Sequence, residues 1–438
     1  MNKSFPQLVV ADEKGNIVSV PFLEGCGMKA GYFGRLLKEE LRPLPACSQL
    51  FMLPGRVAVA YDPEERNFVE VRQHPFKKGK QCFPVAAFLA PGYTGAFSAA
   101  FFDQKDSNPL PLFAYTAVVY FRGQFYAPSI RVDCEKRQDP RRMDLVLMKK
   151  NISAFKKQFP RNRLIVHLEQ CACVSGCPAA RNFFLRRYEA PLPTSPSCNA
   201  RCEGCISYQP EGKIPVTQPR IQFVPSPEEI AEVALFHMSH VKDPVVSFGQ
   251  GCEGEPLMVF STLERAIALI RAKTSSGVIN LNTNASKPDA VARLFNAGLD
   301  SIRVSLNSVR KEFYDRYYRP NNYDFQDVLR SVKIAKRKHG FLSLNYLVMP
   351  GFTDTIAEYT ALNKFISSYN VDMIQWRNMN FDPLWYFEKL KSCPDPDSFV
   401  GMKLVIEDIH QKFPRLMKGY FNPSRGRIKK FLKARPSE

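Results

Sequence analysis

Residues 188–205 read YEAPLPTSPSCNARCEGC: a short strand-like run, a Pro/Ser turn, then three cysteines spaced C-x3-C-x2-C at Cys198, Cys202 and Cys205. Three thiolates this close can hold a soft metal. In a four-iron cubane they leave one iron without a cysteine, open to a substrate or cofactor. Zinc is the rival occupant, and it would want a fourth Cys or His ligand.

Downstream of residue 186 the texture is apolar strands alternating with amphipathic helices, the pattern of a parallel sheet wound into a full or partial barrel. Strands are predicted at 188–195, 245–249, 278–283, 301–306, 342–349 and 373–377. A helix opens at Ser226-Pro227-Glu228-Glu229, where Ser caps, Pro fits the first turn and the acids complement the dipole. Further helices are predicted near 257–273, 287–296, 325–338 and 356–368. The loops after parallel barrel strands gather at one face, so residues just past each strand end should surround one site.

Upstream, residues 1–185 read as short β-rich runs such as 50–61 and 112–120, with one helix at 143–159. The expected organisation is an N-terminal β-rich domain over 1–185, a barrel over 186–390 and a helical, basic extension over 391–438.

With 45% hydrophobic and 24% charged residues in 438, the chain has a globular balance. Its start has no secretory apolar stretch, and no run approaches the roughly eighteen apolar residues of a membrane helix. The expected location is cytoplasmic, with no membrane partner. That compartment argues against disulfides for the 12 cysteines. The net charge of +19 is concentrated partly at the end, where Arg415, Lys418, Arg425, Arg427, Lys429, Lys430, Lys433 and Arg435 face a single acid. That stretch is either a solvated tail or a dock for an anionic partner such as RNA.

Each later strand ends in a distinctive segment. The second gives Gly249-Gln-Gly251-Cys-Glu-Gly254-Glu255-Pro256, where glycines let backbone approach a ligand and a carboxylate favours an ammonium group. The third gives Asn282-Thr283-Asn284-Ala285 and the fourth Arg303-Val-Ser305-Leu-Asn307-Ser308. Alternation puts Arg303, Ser305 and Asn307 on one face, where Arg303 would meet either a ligand carboxylate or a neighbouring strand. The fifth leads into Val348-Met-Pro350-Gly351-Phe-Thr-Asp354, with Asn345 inward, and the sixth contains Gln375-Trp376-Arg377-Asn378. A second group, Cys171-Ala-Cys173-Val-Ser-Gly-Cys177, precedes the barrel and is either a second metal centre or a turn with buried thiols. His167 lies nearby as a core or surface residue or a ligand.

The triplet after the first strand, followed by a Gly-Glu-Pro turn after the second, resembles the radical S-adenosylmethionine superfamily over roughly residues 186–385. The resemblance implies an α/β fold, a partial (β/α)6 TIM-type barrel joined to the N-terminal β-rich domain. It also implies a [4Fe-4S] cluster on Cys198, Cys202 and Cys205, with S-adenosylmethionine held by Gly254, Glu255, Asn284, Arg303, Ser305 and Asn307. Reductive cleavage of S-adenosylmethionine to a 5′-deoxyadenosyl radical would draw on a low-potential donor such as flavodoxin or ferredoxin. The sequence departs from the pattern at Gly204, where an aromatic residue is usual, and at Ala285, where Gly is usual. It lacks the motifs of a cobalamin-binding or methylthiotransferase member. The rival readings are an RNA-modifying radical methyltransferase and, outside enzymes, a zinc-stabilised RNA-binding protein.

Overall fold

The computed structural model describes residues 5–433. Between Gln7 and Arg131 the chain forms one antiparallel sheet of thirteen mostly short strands. Three helices follow, α1 (Leu145–Gln158), α2 (Arg163–Cys173) and α3 (Pro178–Phe184). The first matches the predicted helix. The other two lie where β-rich sequence was expected. In α2 the buried residues Leu164, Ile165, Leu168, Cys171 and Ala172 recur at helical spacing. All three helices pack into the same apolar core as the barrel, a core that Ile130 of the N-terminal sheet also joins.

The barrel is a curled parallel sheet in simple sequence order: β1 (Glu189–Pro191), β2 (Val245–Phe248), β3 (Val278–Thr283), β4 (Ser301–Leu306), β5 (Phe341–Val348), β6 (Met373–Asn378) and β7 (Met417–Gly419). The first six coincide with the six predicted strands. The seventh, inside the stretch expected to be a helical extension, is three residues long and leaves no periodic signature. The predicted helix after β1 is α4 (Pro227–His240), and Ser226 and Glu229 close its capping box as the sequence suggests. The connections continue with α5 (Phe260–Lys273), α6 (Pro288–Ala297), α7 (Lys311–Tyr318), α8 (Phe325–Arg337), α9 (Ile356–Tyr369), α10 (Pro383–Leu390) and α11 (Met402–Lys412). No helix among the described residues is long and apolar enough to cross a membrane.

Polar contacts fix the N-terminal sheet to the end of β6. Asn378 accepts from the Gly95 amide (2.8 Å) and donates to the Tyr93 carbonyl (3.0 Å), while the Thr94 hydroxyl donates to the Trp376 carbonyl. Arg56 and Asp382 form a buried ion pair at 2.9 Å, and Asp382 also caps α10. The basic tail is partly tied down. Within α12 (Arg425–Lys433), Arg425 pairs with Asp300 and Arg427 with Asp133, each at 2.9 Å. Arg435, counted in the basic stretch, lies outside the described residues.

Two histidines in this scaffold are held neutral. His237 is buried against the Tyr188 carbonyl, and His410 accepts from the Trp376 indole at 3.1 Å while its Nδ1 meets the Leu416 carbonyl. Burial pushes both down to about 4 from the ordinary 6.5. The unfolded chain therefore takes up these protons first, so stability is full above about pH 6.5 and falls as pH drops toward 4. We predict that the metal-free chain loses up to about 3 kcal/mol per histidine over that window. Urea midpoints measured across it should fall less steeply for His410→Gln than for the parent chain.

Candidate functional site

The three cysteines of the triplet sit in the loop that leaves β1, and that loop is held from three directions. On the β2 side, one oxygen of the buried Glu253 carboxylate accepts from the amides of Thr194 (2.7 Å) and Ser195 (3.1 Å). The amides of Gly254 and Glu255 donate back to the carbonyls of Ser195 (2.6 Å) and Ser197 (2.8 Å). A Cβ on Gly254 would stand 2.0 Å from the Ser197 carbonyl oxygen, so this approach is open only to glycine.

On the β3 side, Asn284 donates to the Asn199 side chain at 2.9 Å and Asn199 donates to the Ser286 hydroxyl at 3.0 Å. Glu255 binds the same strand end, accepting from the Asn284 amide at 2.8 Å and from the Thr283 hydroxyl. From the α7 end, the Tyr318 and Tyr317 carbonyls accept from the amides of Arg201 and Glu203, and the Asn321 amide donates to the Asn199 carbonyl. Helix α7 was not anticipated, although Tyr314, Tyr317 and Tyr318 carry its i, i+3, i+4 spacing.

Gly204 is explained by the same helix. A Cβ there would lie 2.7 Å from the Tyr317 hydroxyl and 3.4 Å from the Phe381 ring, so the space that an aromatic residue at 204 would fill is already taken by aromatic side chains.

The thiols are partly buried and electrically coupled. Burial first, then the Glu255 carboxylate, pushes Cys198 up to about 12, and burial with the other two thiols raises Cys202 well above its ordinary range. A contacting metal cation would offset this preference of Cys198 and Cys202 for the neutral thiol. Arg220, unremarked in the sequence, brings its guanidinium within 3.7 Å of the Cys205 sulfur and also reaches Ser207. Its signal was weak, being one arginine in a Pro-rich loop.

The other predicted residues line the barrel interior. Along β4 and β5 the residues are buried except Arg303, Ser305, Asn345, Leu347 and the first residue of β5, Phe341. Apart from Phe341, these half-buried positions alternate along the strands and share one face of the sheet, as the period of two requires. Arg303 donates to Gln375 at 2.9 Å, and Asn345 donates to Ser305 at 3.2 Å. Burial, and next the Arg377 charge, lower Arg303 to about 9. Asn307 instead turns to the Phe313 carbonyl and the Tyr386 hydroxyl. Arg303 Nε, Asn345 Oδ1 and Asn307 Oδ1 are buried without hydrogen-bond partners among the described residues. Unpaired buried polar atoms of this kind suit a polar ligand. At the lumen floor, Asn422 joins Glu189, Ser247 and Gln375, a role no motif announced.

The geometry yields a test. Gly254→Ala must push the Ser197 backbone away and should cost about 1–3 kcal/mol in urea unfolding. Gly34→Ala, whose Cβ would meet only the Phe97 ring at 3.8 Å, should stay within about 0.5 kcal/mol of the parent.

Residues 192–361 match the family model described as the Radical SAM superfamily. Among curated proteins, the FeMo cofactor biosynthesis protein NifB of Klebsiella pneumoniae is 24% identical over 181 residues, which is 37% of this chain and 38% of that protein. Among solved structures, methylornithine synthase (PylB) is 14% identical with a TM-score of 0.37, covering 64% of this chain and 77% of the other. The FeFe-hydrogenase maturase HydG from Carboxydothermus hydrogenoformans is 13% identical with a TM-score of 0.35, covering 66% and 73%.

Proposed function

We propose that this chain, which carries a radical SAM domain over residues 192–361, reductively cleaves S-adenosylmethionine and uses the resulting 5′-deoxyadenosyl radical on a substrate bound in the barrel lumen. The observation that carries the reading is the C-x3-C-x2-C loop at the end of the first parallel strand, with the Gly254–Glu255 turn clasped to its backbone. A [4Fe-4S] cluster bound at Cys198, Cys202 and Cys205 would supply the electron and an open iron site.

In this reading the protein's own residues bind and orient. Gly254 exposes backbone at the loop, Glu255 and Asn284 fix the ends of β2 and β3 beside it, and Arg303, Ser305 and Asn307 offer polar atoms from β4. Arg303 and Asn345, each with an unpaired buried atom, are suited to a carboxylate or hydroxyl group of the cofactor or substrate. An electron donor such as flavodoxin or ferredoxin is supported by a surface recess in which Cys202 is flanked by Arg201, Lys213, Arg319 and Lys389, against Glu203 and Glu211. That net positive rim would attract an acidic redox protein.

Anaerobic reconstitution with iron and sulfide should give a brown protein that turns S-adenosylmethionine into 5′-deoxyadenosine under dithionite. Replacing Cys198, Cys202 or Cys205 by Ala should abolish both. Glu255→Ala and Arg303→Ala should keep the iron while weakening S-adenosylmethionine binding about ten- to a hundred-fold, the loss expected for one charge-assisted contact. A protein that takes up no cluster and releases no 5′-deoxyadenosine would sink the proposal. Undiminished binding in both single variants would remove those two residues from the cofactor site.

A further inference from the structure

Outside the triplet loop, the fold brings together three soft donors that come from two distant parts of the sequence. His167 and Cys171 lie one turn apart on α2, with Nε2 and Sγ 3.5 Å apart. Cys252 reaches them from the Gly-rich turn after β2, and the three ligand atoms all lie within 4.8 Å of one another. Cys171 and Cys252 are 4% and 2% exposed, while His167 is half-buried and opens the group toward solvent. Cys173, two residues from Cys171, is exposed and takes no part.

We propose that His167, Cys171 and Cys252 bind a single thiophilic divalent ion, for which zinc is the natural occupant, separate from the centre at Cys198, Cys202 and Cys205. Among the described residues this is the three-donor group drawn within 4.8 Å, whereas the triplet sulfurs are not. Metal–ligand bonds of about 2.0–2.3 Å in a tetrahedron place donors about 3.5–3.8 Å apart, so the group is sized for one ion and not for a cubane. Imidazole with thiolates is a donor set that zinc favours over oxygen-preferring cations. Binding would displace the two thiol protons to solvent and leave the ion near charge balance.

Two neighbours bear on this reading. Cys177, the residue before α3, interacts electrostatically with both Cys171 and Cys252 but lies outside the group drawn within 4.8 Å. The Gln218 side chain lies against the Cys171 and Cys177 thiols, and its amide nitrogen is buried without a hydrogen-bond partner among the described residues. An N–H donor in that position suits a metal-bound thiolate. The Gln218 amide oxygen also closes over Gly251, where an added Cβ would meet it at 2.5 Å.

The ion would therefore cross-link α2 to the Gly249–Pro256 turn. Cys252 immediately precedes Glu253 and Gly254, whose contacts hold the triplet loop, so the ion would act as a structural anchor behind that loop. The inference does not depend on the proposed radical chemistry.

The test uses the full chain with Cys198, Cys202 and Cys205 all changed to Ala, so that only the second group can respond. Incubated with zinc alone and desalted, it should retain about one zinc per chain. Cobalt in its place should give sulfur-to-metal charge-transfer absorption with tetrahedral d–d bands. On this background His167→Ala and Cys252→Ser should each weaken zinc about tenfold or more in chelator competition, while Cys173→Ser should change nothing.

X-ray absorption at the zinc edge needs no further variant and should show sulfur with nitrogen in the first shell. A shell of nitrogen and oxygen only, no retained zinc, zinc affinity indifferent to Cys252→Ser, or several irons with labile sulfide at this group would each overturn the proposal.

Discussion

The Ser197 carbonyl lies where Gly254 has no side chain, and that backbone contact organises the site. Because the approach is so close, the amides of Gly254 and Glu255 can pair with residues 195 and 197 as though the turn after β2 were a short added strand. The Glu253 carboxylate then closes the pairing by taking up two amides of the opposite segment. Backbone and acid together fix the loop before any ligand arrives, so the cysteines need not spend binding energy on ordering it. Burying Glu253 and Glu255 is costly, and burial pushes both up to about 7 despite their hydrogen bonds.

The lumen continues the same logic at lower charge. Its floor is a chain of side-chain amides and hydroxyls in which Asn422 meets Glu189, Ser247 and Gln375, and Gln375 passes the contact to Arg303. An arginine with a buried Nε needs a partner, and here a neutral amide satisfies one of its nitrogens while Nε stays unpaired. The barrel thus holds a positive group in place without neutralising it. Asn422 and β7 come from the C-terminal stretch, so the segment after residue 391 completes the barrel floor as well as its sheet. The ion pairs of Arg425 and Arg427 keep it there, which pairs off part of the chain's large basic excess.

Much of this was legible in the sequence because each signal was local. The triplet, the capped helix at Ser226 and the six apolar strands are short patterns, and the strands fall within a few residues of their predicted bounds. The inward rows of Arg303 with Ser305 and of Asn345 with Leu347 follow from the period of two and emerge as the half-exposed positions of β4 and β5. What was illegible was pairing between distant segments. Asn422, Arg220 and the meeting of His167 with Cys252 rest on contacts between segments that no periodicity links, from 13 residues apart for Arg220 and Ser207 upward. The cysteines at 171, 173 and 177 illustrate the point. Their spacing suggests one loop of ligands, but helix α2 buries the first, exposes the second and ends before the third, so the useful partner of Cys171 is a residue 81 positions away (252 − 171).

Gly204 shows how such a long-range contact can look like a missing residue. Read alone, a glycine before the third cysteine removes an aromatic wall from the loop. In the folded chain Tyr317 and Phe381 already occupy that volume, and Phe381 stacks on Trp385 with ring planes 5° apart. The aromatic surface is supplied by α7 and by the segment entering α10, elements that also carry the carbonyls pairing with the loop and the Asp382 cap. A larger side chain at 204 would have to displace the Tyr317 hydroxyl at 2.7 Å, on the helix whose end straps Arg201 and Glu203. The glycine and Tyr317 are therefore two halves of one packing solution, in which the wall has moved from the loop to the helix that holds it.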